Sequence, residues 1–276
     1  VSLSGGGQLS GTGKLDVSGS TWVLGRDFVK SSGTLTISET TDLALSGSST
    51  LTSDVALNFN SLNLNDFTLT LGSPTSNLTV QNAITIDTST EGISTGEADL
   101  TVEGDFTLAQ GKLESTSGKL IFRQGGTQSG SSEFNLGVST LVLGAGLTKT
   151  SGNLNSSLAT LYLLADLSIT SDSTLIFNQV ELNNLTLTLG SESTDLQVSS
   201  ALTLDNANEL IITGEADLRL MEFQDISIGG VTSTGGAISF QGGGQLSGTG
   251  KLDVSGSTWT LGGDFEKSSG TLTTTE

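Results

Sequence analysis

The fold class this chain predicts is all-β: a right-handed parallel β-solenoid (β-helix) with three short strands per coil of about 21 residues, arranged in tandem units of about 118 residues. Three observations predict it. Apolar residues alternate at period two in pieces only three to five residues long, which is the signature of a strand with one face in and one face out. Between the pieces lie Gly, Ser, Asn and Asp, which turn a chain at little conformational cost. Finally, every third piece recurs at an even interval, and long segments of the sequence repeat.

Taken in chain order, the alternating pieces are Leu15/Val17, Trp22/Leu24, Phe28, Leu35/Ile37, Leu43/Leu45, Leu51, Leu57/Phe59, Leu62/Leu64, Leu69/Leu71, Leu78/Val80, Ile84/Ile86, Ile93, Leu100/Val102, Phe106/Leu108, Leu113 and Leu120/Phe122. Strands this short cannot be stable as isolated hairpins. Every third piece gives Leu15, Leu35, Leu57, Leu78, Leu100 and Leu120, at near-equal spacings of about 21 residues. That step is one three-sided coil, each coil stacking on the last at about 4.8 Å. These six leucines are the predicted core, with Trp22 and Trp259 as stacked core or corner residues at equivalent repeat positions. Pro74 falls at a corner (SPTS), where a missing donor does no harm. LATLYLLADLSI, from Leu158, has the look of a helix, but its alignment with the strand at Leu43/Leu45 makes it strand.

The repeat is explicit. Gly5–Thr36 (GGGQLSGTGKLDVSGSTWVLGRDFVKSSGTLT) returns at Gly242–Thr273 with three changes: Val23 to Thr260, Arg26 to Gly263 and Val29 to Glu266. A diverged copy lies between. LNDFTLTLGS at Leu64–Ser73 matches LNNLTLTLGS at Leu182–Ser191, and TGEADL at Thr95–Leu100 matches Thr213–Leu218. We therefore divide the chain into repeat unit 1 (residues 1–119), a diverged repeat unit 2 (120–237) and the start of unit 3 (238–276), one continuous solenoid within a longer chain. Whole coils would put six in each copy, hence 18 strands; counting from Leu3 to Leu120 yields 17 steps, which we assign to one misread strand or corner.

Composition narrows the chemistry. Formal net charge is −19, charged residues make up 14%, and Cys and His are absent. Without Cys there are no disulfides or thiolate metal sites, and without His the usual proton shuttle at neutral pH is missing. A strongly acidic chain argues against nucleic acid, whose phosphates call for clustered Lys and Arg. No apolar stretch is as long as a bilayer-spanning helix requires, so no membrane span is expected.

Short Gly/Ser/Asn-punctuated strands in near-identical units, as in GGGQLSGTGKLDVSGSTW at Gly5–Trp22 and Gly242–Trp259, resemble repetitive bacterial surface β-solenoids: filamentous-haemagglutinin-like adhesins, autotransporter passengers and other giant adhesins. The resemblance implies secretion to the cell surface and a structural rod or stalk in a filament serving attachment or cell–cell contact. Its partners would be neighbouring repeats of the same polypeptide, other copies in a filament, and a host or prey surface or glycan reached through other regions.

Two other function classes are open to such a chain. A flat-face module binding glycan or ice would use outward Thr rows, and TLT recurs at Thr34–Thr36, Thr50–Thr52 and Thr68–Thr70, although on different faces in this register. A polysaccharide lyase or hydrolase needs carboxylates beside Lys or Arg. Arg26, Arg123 and Arg219 are the only arginines, and the acidic group Glu97, Asp99, Glu103 and Asp105 is only partly kept in the second copy. We expect no enzyme: no catalytic, cofactor-binding or metal residue is assigned. The acidic surface suits diffuse Ca2+ binding, with a specific Ca2+ site as the alternative. The calcium-binding nonapeptide of repeat toxins is missing, since GGGQ stands at Gly5–Gln8.

Overall fold

The computed structural model describes residues 1–200 and 202–274. Every regular element among them is a β-strand of two to five residues, and none is helical. The segment with helical appearance forms two strands, Thr160–Leu163 and Leu167–Ser171. Pro74 sits in a turn. The chain divides into two compact units, Val1–Leu141 with Ser151–Asn155 and Val142–Thr150 with Ser156–Glu276.

In the first unit successive strands visit three faces in turn, and neighbouring strands run parallel. One sheet runs through eight strands, from Gly7–Leu9 and Phe28–Lys30 to Glu133–Leu136 and Asn153–Asn155. Another stacks Leu57–Phe59, Leu78–Val80, Leu100–Val102 and Lys119–Phe122 in strict register. Leu57, Leu78, Leu100 and Leu120 thus form one inward row, with Phe59, Val80, Val102 and Phe122 beside it. All eight are essentially buried. Like sits on like because one coil cannot close a core, and only the next coil removes its apolar face from water. Phe106 and Phe122 stack face to face with ring centroids 4.3 Å apart, which fills the interior where the coil carries two aromatics.

The second unit repeats the construction. Leu175, Leu196, Leu218, Ile238 and Trp259 form one inward row, and Phe177, Val198, Leu220 and Phe240 run alongside. A third face carries Gln224–Ile226, Gly244–Leu246 and Phe265–Lys267.

Corners are tight. A Cβ on Gly118 would fall 2.1 Å from the Ala98 carbonyl oxygen, and one on Gly236 the same distance from that of Ala216. Coil-to-coil backbone approach there leaves room for hydrogen only. Corner aspartates add ties between coils: the Asp99 carboxylate accepts the Lys119 N–H (2.7 Å), and Asp217 accepts the Ala237 N–H (2.8 Å).

The expectation of six whole coils per copy is corrected. Lys14–Asp16 lies in a two-stranded sheet with Thr34–Thr36, but its repeat equivalent Glu133–Leu136 lies in the eight-stranded sheet. Glu133–Leu136 is the seventeenth strand after Lys14–Asp16 in chain order. The second unit does the same on its own: Leu147–Lys149 pairs with Leu167–Ser171, whereas its equivalent Phe265–Lys267 pairs with Gly244–Leu246 on another face. The count of 17 is thus a property of the fold, with no strand misread. At about 21 residues per coil a copy of about 118 residues is five coils and two-thirds, so equivalent strands move round by one face.

Candidate functional site

The copies share one irregular feature. After Leu64 the chain takes two consecutive left-handed residues, Asn65 (φ 50°) and Asp66 (φ 70°); after Leu182 it takes Asn183 (φ 54°) and Asn184 (φ 66°). Asn and Asp bear this conformation better than other residues with a Cβ. A buried glutamate from the following coil secures each turn. Glu91 accepts the N–H of Asp66 (3.3 Å) and of Asp87 (2.9 Å). Glu209, 3% exposed, accepts those of Asn184 (3.0 Å), Asp205 (2.6 Å) and Asn206 (3.1 Å). Such partners are what allow a carboxylate to be buried.

In the second unit this turn opens onto a concavity of about 430 Å³. Glu181 pairs with Tyr162 on one side and forms an isolated bridge with Thr203 on the other, so Tyr162, Glu181 and Thr203 make an outward column along the rim. Gln179 and Asp205 complete it, and Glu209 lies beneath. In the first unit the equivalent column begins with Ala44 and Asn63, which pair in the same way.

A second recurring feature is a lysine at an inward position. Lys30 and Lys149 are each 5% exposed and ion-paired with an aspartate of the next coil, Asp54 and Asp172 respectively. The Lys149 ammonium beside Asp172 holds that carboxyl below its ordinary range, against the opposing effect of burial, and a Ser173 hydroxyl assists. Asp42 is likewise held low, first by the Ser61 hydroxyl (2.6 Å) and then by the Asn60 amide (2.9 Å).

Of the residues predicted from sequence, Leu57, Leu78, Leu100, Leu120 and Trp22 are each at most 1% exposed. Leu15 and Leu35 do pair with each other, but are only half-buried, as is Trp259. The acidic group is not gathered into one site: Asp99 is a corner tie, and Glu103 faces Arg123 at 3.7 Å on the exposed surface. Arg219 lines a shallow depression of about 230 Å³ with Asp217, whose carboxylate is already engaged by Ala237. Thr50 stacks against Thr70, but the next outward residues in that row are Ser94 and Glu114, while Thr34–Thr36 lies in another sheet. Among the described residues no three carboxylates are grouped so as to hold a metal ion, and no helix is long and apolar enough to cross a membrane.

Sequence reasoning passed over Lys30, Lys149, Glu91 and Glu209. A charged residue in or beside an alternating strand reads as solvated; the signal was their recurrence at offsets of 118 and 119 within one chain. No protein-family model matches this chain, and no curated protein or solved structure matches it either.

Proposed function

We propose that this chain is a structural rod or stalk segment of a secreted bacterial surface filament or giant adhesin, extracellular and non-enzymatic, with attachment carried by other regions of the polypeptide. The observation that supports this reading is the once-per-copy return of the same inter-coil ties: Lys30–Asp54 as Lys149–Asp172, and the Glu91 turn as the Glu209 turn. A repeated scaffold of this kind sets length by copy number and transmits load through the backbone ladders. Its acidic surface keeps neighbouring chains apart.

Inserting further copies tests the proposal. Each added copy should lengthen the particle in electron micrographs by about 27 Å, which is five and two-thirds coils at about 4.8 Å. Antibodies against the segment should label intact cells of the source organism. Particles that do not lengthen, or labelling only after lysis, would contradict it.

A further inference from the structure

We propose that the concavity bounded by Tyr162, Gln179, Glu181 and Asp205 is a binding site for an uncharged saccharide. This goes beyond the structural role and does not depend on it. The volume, about 430 Å³, falls within the range of ligand sites, about 300–1,000 Å³. Its floor is fixed in advance, since both oxygens of the buried Glu209 carboxylate are bound to backbone N–H groups, so little ordering remains to be done on binding. At the rim, the side chains of Tyr162, Gln179, Glu181 and Asp205 make no hydrogen bond or ion pair among the described residues, which leaves their polar atoms for a ligand.

The chemistry of that rim selects the class. An aromatic ring with a polar tip offers a flat apolar surface for the C–H face of a sugar ring and a hydroxyl for its edge. Two carboxylates accept strong hydrogen bonds from hydroxyl donors, and the Gln179 amide both donates and accepts. No Lys or Arg lines the concavity, so anionic ligands are repelled.

Comparison of the copies separates three rim residues, Tyr162, Gln179 and Glu181, from the rest of the site. Asn65, Thr85, Asp87 and Glu91 of the first copy are kept as Asn183, Thr203, Asp205 and Glu209 in the second. Ala44, Ser61 and Asn63 instead become Tyr162, Gln179 and Glu181. The fold needs only the small residues at those places, and the larger polar ones add contact surface that the scaffold does not use.

The test is nuclear magnetic resonance on the full isotopically labelled chain. It is titrated to millimolar concentration with maltotriose, cellotriose, N,N′-diacetylchitobiose and lactose, and separately with an arginine-rich peptide. The expected result is that at least one saccharide shifts the amide signals of residues 179–184 and 203–209. Tyr162→Ala should weaken that response about tenfold, about 1.4 kcal/mol, while other signals stay in place. Failure of all four saccharides to shift those signals overturns the proposal. So does a response unchanged by Tyr162→Ala, or one given only by the cationic peptide.

Discussion

The Lys30 ammonium reaches from an inward strand position to the Asp54 carboxylate of the next coil, and Lys149 repeats the contact with Asp172. The lysines are 5% exposed and the aspartates 42%. Each pair therefore joins a buried stem to a solvated partner on the next coil, a placement suited to setting strand registry. Replacing a buried ion pair by apolar side chains is often neutral for stability, whereas removing one partner leaves a costly uncompensated charge.

This asymmetry gives unequal outcomes for two substitutions. Asp54→Asn leaves a buried ammonium without its counter-charge and should cost about 1–2 kcal/mol, less than for a fully buried pair because water reaches the aspartate side. Lys30→Met keeps the stem and removes the charge, and should be close to neutral. Urea unfolding of both variants measures the difference. A larger loss for Lys30→Met than for Asp54→Asn would contradict the registry role.

Acid stability follows from the aspartates held low. Asp172 is stabilised as the carboxylate chiefly by its hydrogen bond from Lys149, and Asp42 chiefly by that from Ser61. A carboxyl whose folded pKa is depressed contributes its full stabilisation above the unfolded value, about 3.9 for Asp, and loses it as pH falls through the lower folded value. The melting temperature should therefore hold level from neutral pH down to about pH 5 and fall below about pH 4. Asp172→Asn should flatten that acid limb. An acid limb of unchanged steepness in Asp172→Asn would count against the tie.

Within the stacked rows, depth decides the cost of truncation. Leu78→Ala or Leu100→Ala opens a cavity between two covered coils and should cost about 2–5 kcal/mol. Leu15→Ala should cost clearly less, because Leu15 is half-buried and its strand pairs, among the described residues, only with Thr34–Thr36. Chemical denaturation of the three variants gives the ranking, and equal losses would mean the inward rows are not the core.

Much of this was legible in the sequence, for a physical reason. A solenoid core is built from the same few residues at the same interval, so the row Leu57, Leu78, Leu100 and Leu120 can be read as a spacing before it is seen as a stack. The count of 17 strands was legible too; what failed was the expectation of whole coils, because nothing requires a repeat of sequence to close a whole number of turns. Backbone ladders accept any strand of suitable pattern on any face, so Glu133–Leu136 leaves the face its equivalent Lys14–Asp16 occupies. The rim at Tyr162 was also hidden, since the outward Tyr of TLYL differs from the outward Ala of its equivalent DLAL only in what it shows to solvent.

The most direct measurement uses the absence of native cysteine. Thr79 and Thr101 are outward neighbours on adjacent coils, one coil apart in sequence and paired in register. Nitroxide labels on the variant Thr79→Cys with Thr101→Cys should lie one rung apart, about 4.8 Å between backbones, and give strong spin–spin broadening. A sharp spectrum equal to the sum of the two singly labelled proteins would place those strands apart, and the coil register with them.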